Sequence, residues 1–107
     1  MKLIVLLIAL LFQANDIYAK ELIVVGADWC AYCIKQKQYI ENNPQIIDGF
    51  AYEYINIEEH PELIEKLKLK VYPTSFIFDD EHKKVGQLSG FTITKFNKWI
   101  KKYGGSK

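Results

Sequence analysis

Both cysteines of the chain lie in one short motif, Cys30-Ala31-Tyr32-Cys33, directly after an apolar segment. Two cysteines three residues apart fit a helix start, where unpaired backbone N–H groups and the positive end of the helix dipole stabilise a thiolate. The loop that such a pair closes is tiny, so its disulfide would constrain the unfolded chain little, and a purely structural role is a poor explanation. The motif therefore favours redox exchange at a strand-to-helix junction.

The position of each cysteine predicts its role. Cys30, in the first helical turn, is expected to be accessible and to face unpaired N–H groups that favour its thiolate form. Cys33 lies one turn further into the helix. We therefore expect Cys30 to be the attacking nucleophile and Cys33 to be the resolving thiol that breaks the mixed disulfide.

The first half of the chain after residue 19 predicts strand, helix, strand, helix. Residues 21–27 form a nearly continuous apolar run, typical of a central strand covered on both faces. Residues 31–42 are mostly helix-compatible and stop before Pro44. Residues 51–57 mix aromatic and β-branched residues with polar ones, which indicates a second strand. Pro61 suits the first turn of a short helix. Its predicted apolar stripe is Leu63, Ile64 and Leu67.

The second half predicts a hairpin and a last helix. Residues 74–78 give a strong strand signal, residues 79–83 a polar turn, and residues 84–88 the returning strand. After Gly90, Thr92 or Thr94 can cap a helix. Its apolar residues recur at helical spacing: Phe96, Trp99, Ile100 and Tyr103.

The order β-α-β-α-β-β-α predicts an α/β domain with a mixed central sheet. A right-handed crossover would join a parallel pair of strands, an antiparallel hairpin would extend the sheet, and helices would cover both faces. The cysteines then come at the carboxyl end of the first strand, where open α/β sheets usually place ligand sites.

Three stretches of the sequence carry a resemblance to a known family: residues 27–33 (Ala-Asp-Trp-Cys-Ala-Tyr-Cys), residues 71–74 (Val-Tyr-Pro-Thr) and Gly90 before the last helix. Together they resemble the thioredoxin superfamily, over essentially the whole chain after residue 19. The resemblance implies a thioredoxin-like fold in residues 20–103 and a thiol:disulfide oxidoreductase. It also implies that Pro73 has a cis peptide bond and lies against the cysteines.

Four residues around the cysteines are expected to bind substrate. With a cis bond at Pro73, the backbone of Tyr72 can pair with an extended substrate, and the Tyr72 ring can shape the groove. Tyr32 is expected to show its ring at the surface beside the sulfurs. Trp29 either covers the disulfide or packs into the core, and the sequence leaves both open.

The chain departs from thioredoxins proper at two positions below the cysteines. The resemblance places a buried aspartate and its lysine partner where this chain has Val24 and Tyr54. The usual help in removing the proton from the resolving cysteine is therefore missing, and water or Asp28 would have to provide it. Gln38 stands where the family has a kinking proline.

The N-terminus predicts export. Lys2 begins a positively charged region, residues 3–12 are apolar, and Ala19 ends a plausible cleavage signal, so residues 1–19 are predicted to be a secretory signal peptide. The apolar run is about ten residues, whereas a bilayer span takes roughly 20, which makes a transmembrane anchor the weaker alternative. Removing 19 of the 107 residues leaves 88, enough for one domain. Residues 104–107 are expected to be a disordered tail.

Composition argues against several other functions. The chain has 14 Lys, no Arg and a net charge of +1, so nucleic-acid binding has little support. A zinc site would need about four ligands, and beyond the cysteines only His60 and His82 could help, at no recognised spacing. Ile34 follows the second cysteine where haem attachment needs His. We expect no cofactor and no metal.

The predicted function is an exported, periplasmic thiol:disulfide oxidoreductase that acts as a monomer on disulfide-containing or dithiol protein substrates. A reductant is favoured, and a reductant in this compartment needs a membrane thiol electron donor. An oxidant or isomerase, and a non-catalytic thioredoxin-like binding module, are the alternatives.

Overall fold

The structure, a computed structural model, describes residues 20–104. The predicted signal peptide and the end of the predicted tail lie outside these residues. The strands and helices are β1 (Lys20–Gly26), α1 (Ala31–Asn42), β2 (Phe50–Asn56), α2 (Glu62–Lys66), β3 (Thr74–Phe78), β4 (Lys84–Ser89) and α3 (Ile93–Lys102). The predicted order β-α-β-α-β-β-α is confirmed. Two short 3-10 helices, Pro44–Ile47 and Ile57–Glu59, were not predicted.

The four strands form one mixed sheet in the order β2-β1-β3-β4. β1 runs parallel to β2 and antiparallel to β3, and β3 pairs with β4 as an antiparallel hairpin. β1 is therefore an interior strand with a neighbour on each side. This position explains its nearly continuous apolar sequence, because both of its faces are covered.

Alternate residues of β1 point into two separate cores. Leu22 and Val24 pack with Ile40 of α1 and with Phe96 and Ile100 of α3. On the opposite face, Val25 belongs to a second cluster, which α2 joins through Leu63 and Leu67. Helices thus cover both faces of the sheet, as predicted, with α1 and α3 on one face and α2 on the other.

The predicted apolar stripe of α2 is wrong at Ile64, which is 42% exposed. The helix has only five residues, and Leu63 and Leu67 make its contacts with the second core. Leu63 and Leu67 lie one turn apart on the side that faces the second core, whereas Ile64 lies about 100° further around the helix axis, on the solvent side.

The last helix begins as the sequence suggested. The side chain of Thr92 accepts a hydrogen bond from the Lys95 backbone N–H at 3.2 Å, so Thr92 and not Thr94 is the N-cap.

Within residues 20–104, no helix is long and apolar enough to cross a membrane.

Candidate active site

Cys30 and Cys33 form a disulfide at the start of α1. Cys30 is the N-cap residue, and its sulfur accepts a hydrogen bond from the Cys33 backbone N–H at 3.2 Å. The chain reaches this point from the carboxyl end of β1 through residues 27–29. Cys33 is completely buried, whereas Cys30 is 8% exposed. Both cysteines are thus largely buried, and the slightly more exposed one is the cysteine at the positive end of the helix.

The loop before β3 lies directly against this disulfide. The Tyr72–Pro73 peptide bond is cis, and the Tyr72 carbonyl oxygen is 3.6 Å from the Cys30 sulfur. Pro73 is fully buried. Its carbonyl oxygen accepts a hydrogen bond of 2.7 Å from the Gly90 N–H, which ties the β4–α3 loop to the site. Gly90 has a φ of 78°, a conformation that a residue with a side chain rarely adopts.

Exposed apolar side chains occur in both segments that meet at the Cys30 sulfur, the cysteine motif and the Tyr72–Pro73 loop. Trp29 is 66% exposed and Tyr32 is 59% exposed, so the core-packing alternative for Trp29 is wrong. The Trp29 ring meets the Tyr72 ring edge to face, with 5.9 Å between their centroids. Val71, beside Tyr72, is 45% exposed. The two segments that meet at the Cys30 sulfur therefore carry several exposed apolar side chains, the kind of surface that contacts another protein.

Gly26 makes space for a tyrosine beside the buried sulfur. A Cβ placed on Gly26 would lie 2.5 Å from the Tyr54 hydroxyl and 2.9 Å from both Cβ and Sγ of Cys33. Tyr54 belongs to β2 and pairs with Val24, so its side chain extends along the α1 face toward the end of β1. The sequence did not predict this contact; a glycine at the end of an apolar strand is the one signal that pointed to a close approach.

We expect Gly26→Ala to destabilise the oxidised protein by about 1–3 kcal/mol, because the new methyl group overlaps the Tyr54 hydroxyl and a sulfur fixed by the disulfide. Urea denaturation measures the loss. Gly86→Ala is the matched control: the three atoms nearest to its methyl group, from 2.8 Å, all belong to the far half of the Tyr103 side chain near the C-terminus, which can move more easily than a sulfur held in a disulfide. Equal stability of the Gly26 variant and wild type would contradict the close packing.

The position where the resemblance placed a buried carboxylate holds Val24 in this chain. Val24 is completely buried. Asp28 is exposed, and its Oδ2 accepts a hydrogen bond from the Asn56 side chain at 3.2 Å. Burial raises the pKa of Tyr54, and the negative charge of Asp28 raises it further. The Tyr54 hydroxyl therefore stays protonated over the physiological pH range.

One polar side chain of α1, Gln36, is buried on the helix face that also carries Cys33 and Ile40. Gln36 is completely buried and donates a hydrogen bond from Nε2 to the Ser75 hydroxyl at 2.8 Å. Its Oε1 has no hydrogen-bond partner among the residues that the structure describes. This buried glutamine explains why the apolar pattern of α1 was weak in the sequence. Neither Gln36 nor Ser75 was predicted to be part of the site.

The histidines lie apart from the cysteines and pair with acidic residues. His60 Nδ1 is 3.5 Å from Glu62, and His82 Nδ1 is 3.7 Å from Glu21. Between residues 20 and 104, no group of three or more His, Cys, Asp or Glu side chains could hold a metal ion.

A family model described as a thioredoxin-like domain matches residues 13–104. The chain belongs to the thioredoxin-like family. The thiol:disulfide interchange protein DsbD of Photorhabdus laumondii is 27% identical in an alignment of 84 positions, and the match covers 69% of this chain and 15% of that protein. The thioredoxin-like chain thus spans about 15% of the length of this curated relative.

Solved thioredoxins share the fold. The crystal structure of Plasmodium falciparum thioredoxin has a TM-score of 0.76 at 24% identity, with 92% of this chain and 83% of that chain covered. Reduced Schistosoma mansoni thioredoxin pre-protein has a TM-score of 0.70 at 20% identity, covering 90% and 89%. A thioredoxin-like fold with a disulfide in a C-x-x-C motif makes this chain a thiol:disulfide oxidoreductase.

Proposed function

We propose that the protein is an exported reductant of protein disulfides in which Cys30 is the nucleophile and Cys33 is the resolving thiol. The observation that carries this proposal is the unequal placement of the two sulfurs. Cys30 caps α1 and is reachable from solvent beside the Tyr72–Pro73 loop, while Cys33 is completely buried behind it. An incoming disulfide therefore meets Cys30 first.

The proposed cycle moves two electrons from the enzyme to the substrate. The Cys30 thiolate attacks one sulfur of a substrate disulfide, forms a mixed disulfide, and releases the other substrate sulfur as a thiolate. The Cys33 thiolate then attacks the Cys30 sulfur, restores the Cys30–Cys33 disulfide, and releases the second substrate thiolate. A separate thiol donor must reduce the Cys30–Cys33 disulfide before the next cycle, and we propose a membrane thiol protein for this step.

Four residues are proposed to hold the substrate. The Tyr72 carbonyl oxygen lies 3.6 Å from the Cys30 sulfur, and this supports the proposal that the Tyr72 backbone pairs with an extended substrate segment, as a peptide adds to an open strand edge. Pro73 is fully buried and fixes the direction of this loop. The exposed rings of Trp29 and Tyr32, next to Cys30 and Cys33 in the chain, are proposed to provide apolar contact with the substrate. We propose that the protein acts as a monomer. Its apolar side chains near the cysteines would contact a limited set of protein substrates.

Export is proposed from the N-terminal sequence. A lysine, an apolar run at residues 3–12 and a small residue at position 19 are the parts of a secretory signal. We propose a periplasmic location in a cell with two membranes. One relative is named a thiol:disulfide interchange protein, and this name supports the proposal that a thiol protein supplies electrons to the exported chain.

The reduction potential of the Cys30–Cys33 couple tests the proposed direction. Equilibration of the purified protein with glutathione buffers, followed by alkylation and mass measurement, gives the potential. We expect a value near that of thioredoxin, about −270 mV. A value near that of a strong periplasmic oxidant, about −120 mV, would contradict the reductant and support the oxidant. An isomerase would lie between these values, at about −180 mV.

A further inference from the structure

We propose that the Tyr54 hydroxyl donates a hydrogen bond to the Cys33 thiolate during the resolving step, across the gap left by Gly26. The inference rests on the proposed roles of Cys30 and Cys33. It assigns a function to a residue outside the cysteine motif and outside the Tyr72–Pro73 loop.

The hydroxyl and the sulfur lie near one another, no more than 5.4 Å apart, because both approach the same point above Gly26. Both atoms would be within 3 Å of a Cβ built on Gly26, at 2.5 Å for Tyr54 Oη and at 2.9 Å for Cys33 Sγ. The hydroxyl reaches this point because Tyr54 lies on the edge strand β2, opposite Val24 and two residues before the end of the strand. A side chain at position 26 would crowd both groups, so glycine leaves room for the hydroxyl to approach the sulfur.

The resolving step creates a charge that needs this donor. Cys33 must lose its proton before it attacks Cys30, and it does so at a completely buried position. An unpaired buried thiolate is costly, and a hydrogen bond from a neutral donor stabilises it. The proton passes to solvent water, and the substrate thiolate that leaves in the same step takes up one proton, so protons balance over the step.

Tyr54 has the properties of a donor and not of a base. Burial and the nearby Asp28 carboxylate raise its pKa, so the hydroxyl keeps its proton. The charged or titratable groups that face it are Asp28 from the β1–α1 loop, Tyr52 from its own strand, and Lys37 from α1, whose Nζ lies 5.1 Å from the centre of the Tyr54 ring. The side chain that lies beneath it on β1, Val24, has no polar atom to offer the sulfur.

Stopped-flow reaction of the reduced protein with dithiobis(nitrobenzoate) separates the two steps. Cys30 attacks the reagent and releases one thionitrobenzoate, and Cys33 then attacks the mixed disulfide and releases the second. We expect Tyr54→Phe to leave the first phase unchanged and to slow the second about tenfold at neutral pH, because a hydrogen bond to a charged group is lost. At high pH, where Cys33 ionises without help, the two proteins are expected to reach the same second-phase rate.

Tyr52→Phe is the matched control. Tyr52 lies on the same strand and the same face, two residues earlier, and its hydroxyl is buried without a hydrogen-bond partner among the described residues. We expect this variant to show the wild-type pH profile in both phases. A slowing of the second phase by Tyr54→Phe that persists at high pH, or that Tyr52→Phe reproduces, would overturn the hydrogen bond. So would a Tyr54→Phe profile identical to wild type.

The first phase keeps this result separate from the proposed function. If wild type shows the first release and Cys30→Ser does not, the role of Cys30 stands whatever Tyr54 does. If wild type shows no second release at any pH, Cys33 does not resolve, and both the proposed cycle and the role of Tyr54 are wrong.

Discussion

Replacing Cys30 by serine is expected to abolish the reduction of insulin disulfides, leaving only the rate of the chemical reductant in the assay. Cys30 is the only cysteine of the chain that solvent reaches in the folded protein, and its sulfur lies at the N-terminus of α1, next to the Tyr72 carbonyl oxygen. A serine hydroxyl has the same shape and can still accept the hydrogen bond from Cys33 N–H. It cannot form a disulfide with a substrate. Turbidity of the released insulin chains measures the loss.

Two further variants make this result specific. Cys33→Ser is also expected to lose turnover, since the mixed disulfide on Cys30 is not resolved. Val85→Ala removes an apolar side chain that is 41% exposed on β4, away from the cysteines, and is expected to retain wild-type activity. Wild-type turnover in Cys30→Ser would contradict the assignment of Cys30 and would leave the chain as a binding module with a disulfide that does not exchange.

The largest expected loss of stability comes from Phe96→Ala, at about 3–5 kcal/mol in urea denaturation. Phe96 is completely buried in the core between α3 and the sheet. Its ring contacts the rings of Tyr39, Phe91 and Trp99, with centroids 6.3, 5.8 and 6.2 Å away. Alanine removes all three contacts and leaves a cavity that the rigid sheet cannot close.

Ile93→Ala on the same helix provides the comparison. Ile93 is 51% exposed at the first position of α3, so its truncation is expected to change the free energy of unfolding by less than about 0.5 kcal/mol. Similar losses in the two variants would mean that the helix contributes to stability through its backbone and not through the packing of Phe96.

The elements of the fold could be predicted because their signals are local. β3 occupies residues 74–78, as predicted, since β-branched and aromatic residues there are bounded by Pro73 and a polar turn. The helix after the cysteines also has its predicted bounds, because Asn43 and Pro44 stop it. The strands β1 and β2 each begin and end one residue before the predicted positions.

The contacts that complete the site could not be predicted because they depend on strand register. The Tyr54 hydroxyl comes near Cys33, above Gly26, only when β2 pairs with β1 so that Val24 is opposite Tyr54 and Gly26 is opposite Asn56. A shift of one residue would turn Tyr54 to the opposite face of the sheet. From the sequence alone, Tyr54 was visible only as the residue that replaces a lysine.

The burial of individual side chains also could not be predicted from the sequence. The large, mostly apolar side chain of Trp29 is typical of a core residue. It is nevertheless two-thirds exposed, because the turn from β1 into α1 directs it toward Tyr72. The polar side chain of Gln36 is typical of a surface residue. It is nevertheless completely buried, because it lies on the same face of α1 as Cys33 and Ile40. Both assignments needed the packing of distant segments.

Covalent capture of a substrate tests the central claim most directly. Reduced Cys33→Ser is mixed with a peptide that contains one disulfide, quenched with acid, and analysed by intact and fragment mass spectrometry. The unequal placement of the sulfurs predicts one peptide adduct, attached to Cys30, and none in Cys30→Ser treated in parallel. An adduct on Cys33 of Cys30→Ser that forms at a comparable rate, or no adduct in either variant, would contradict Cys30 as the attacking thiol.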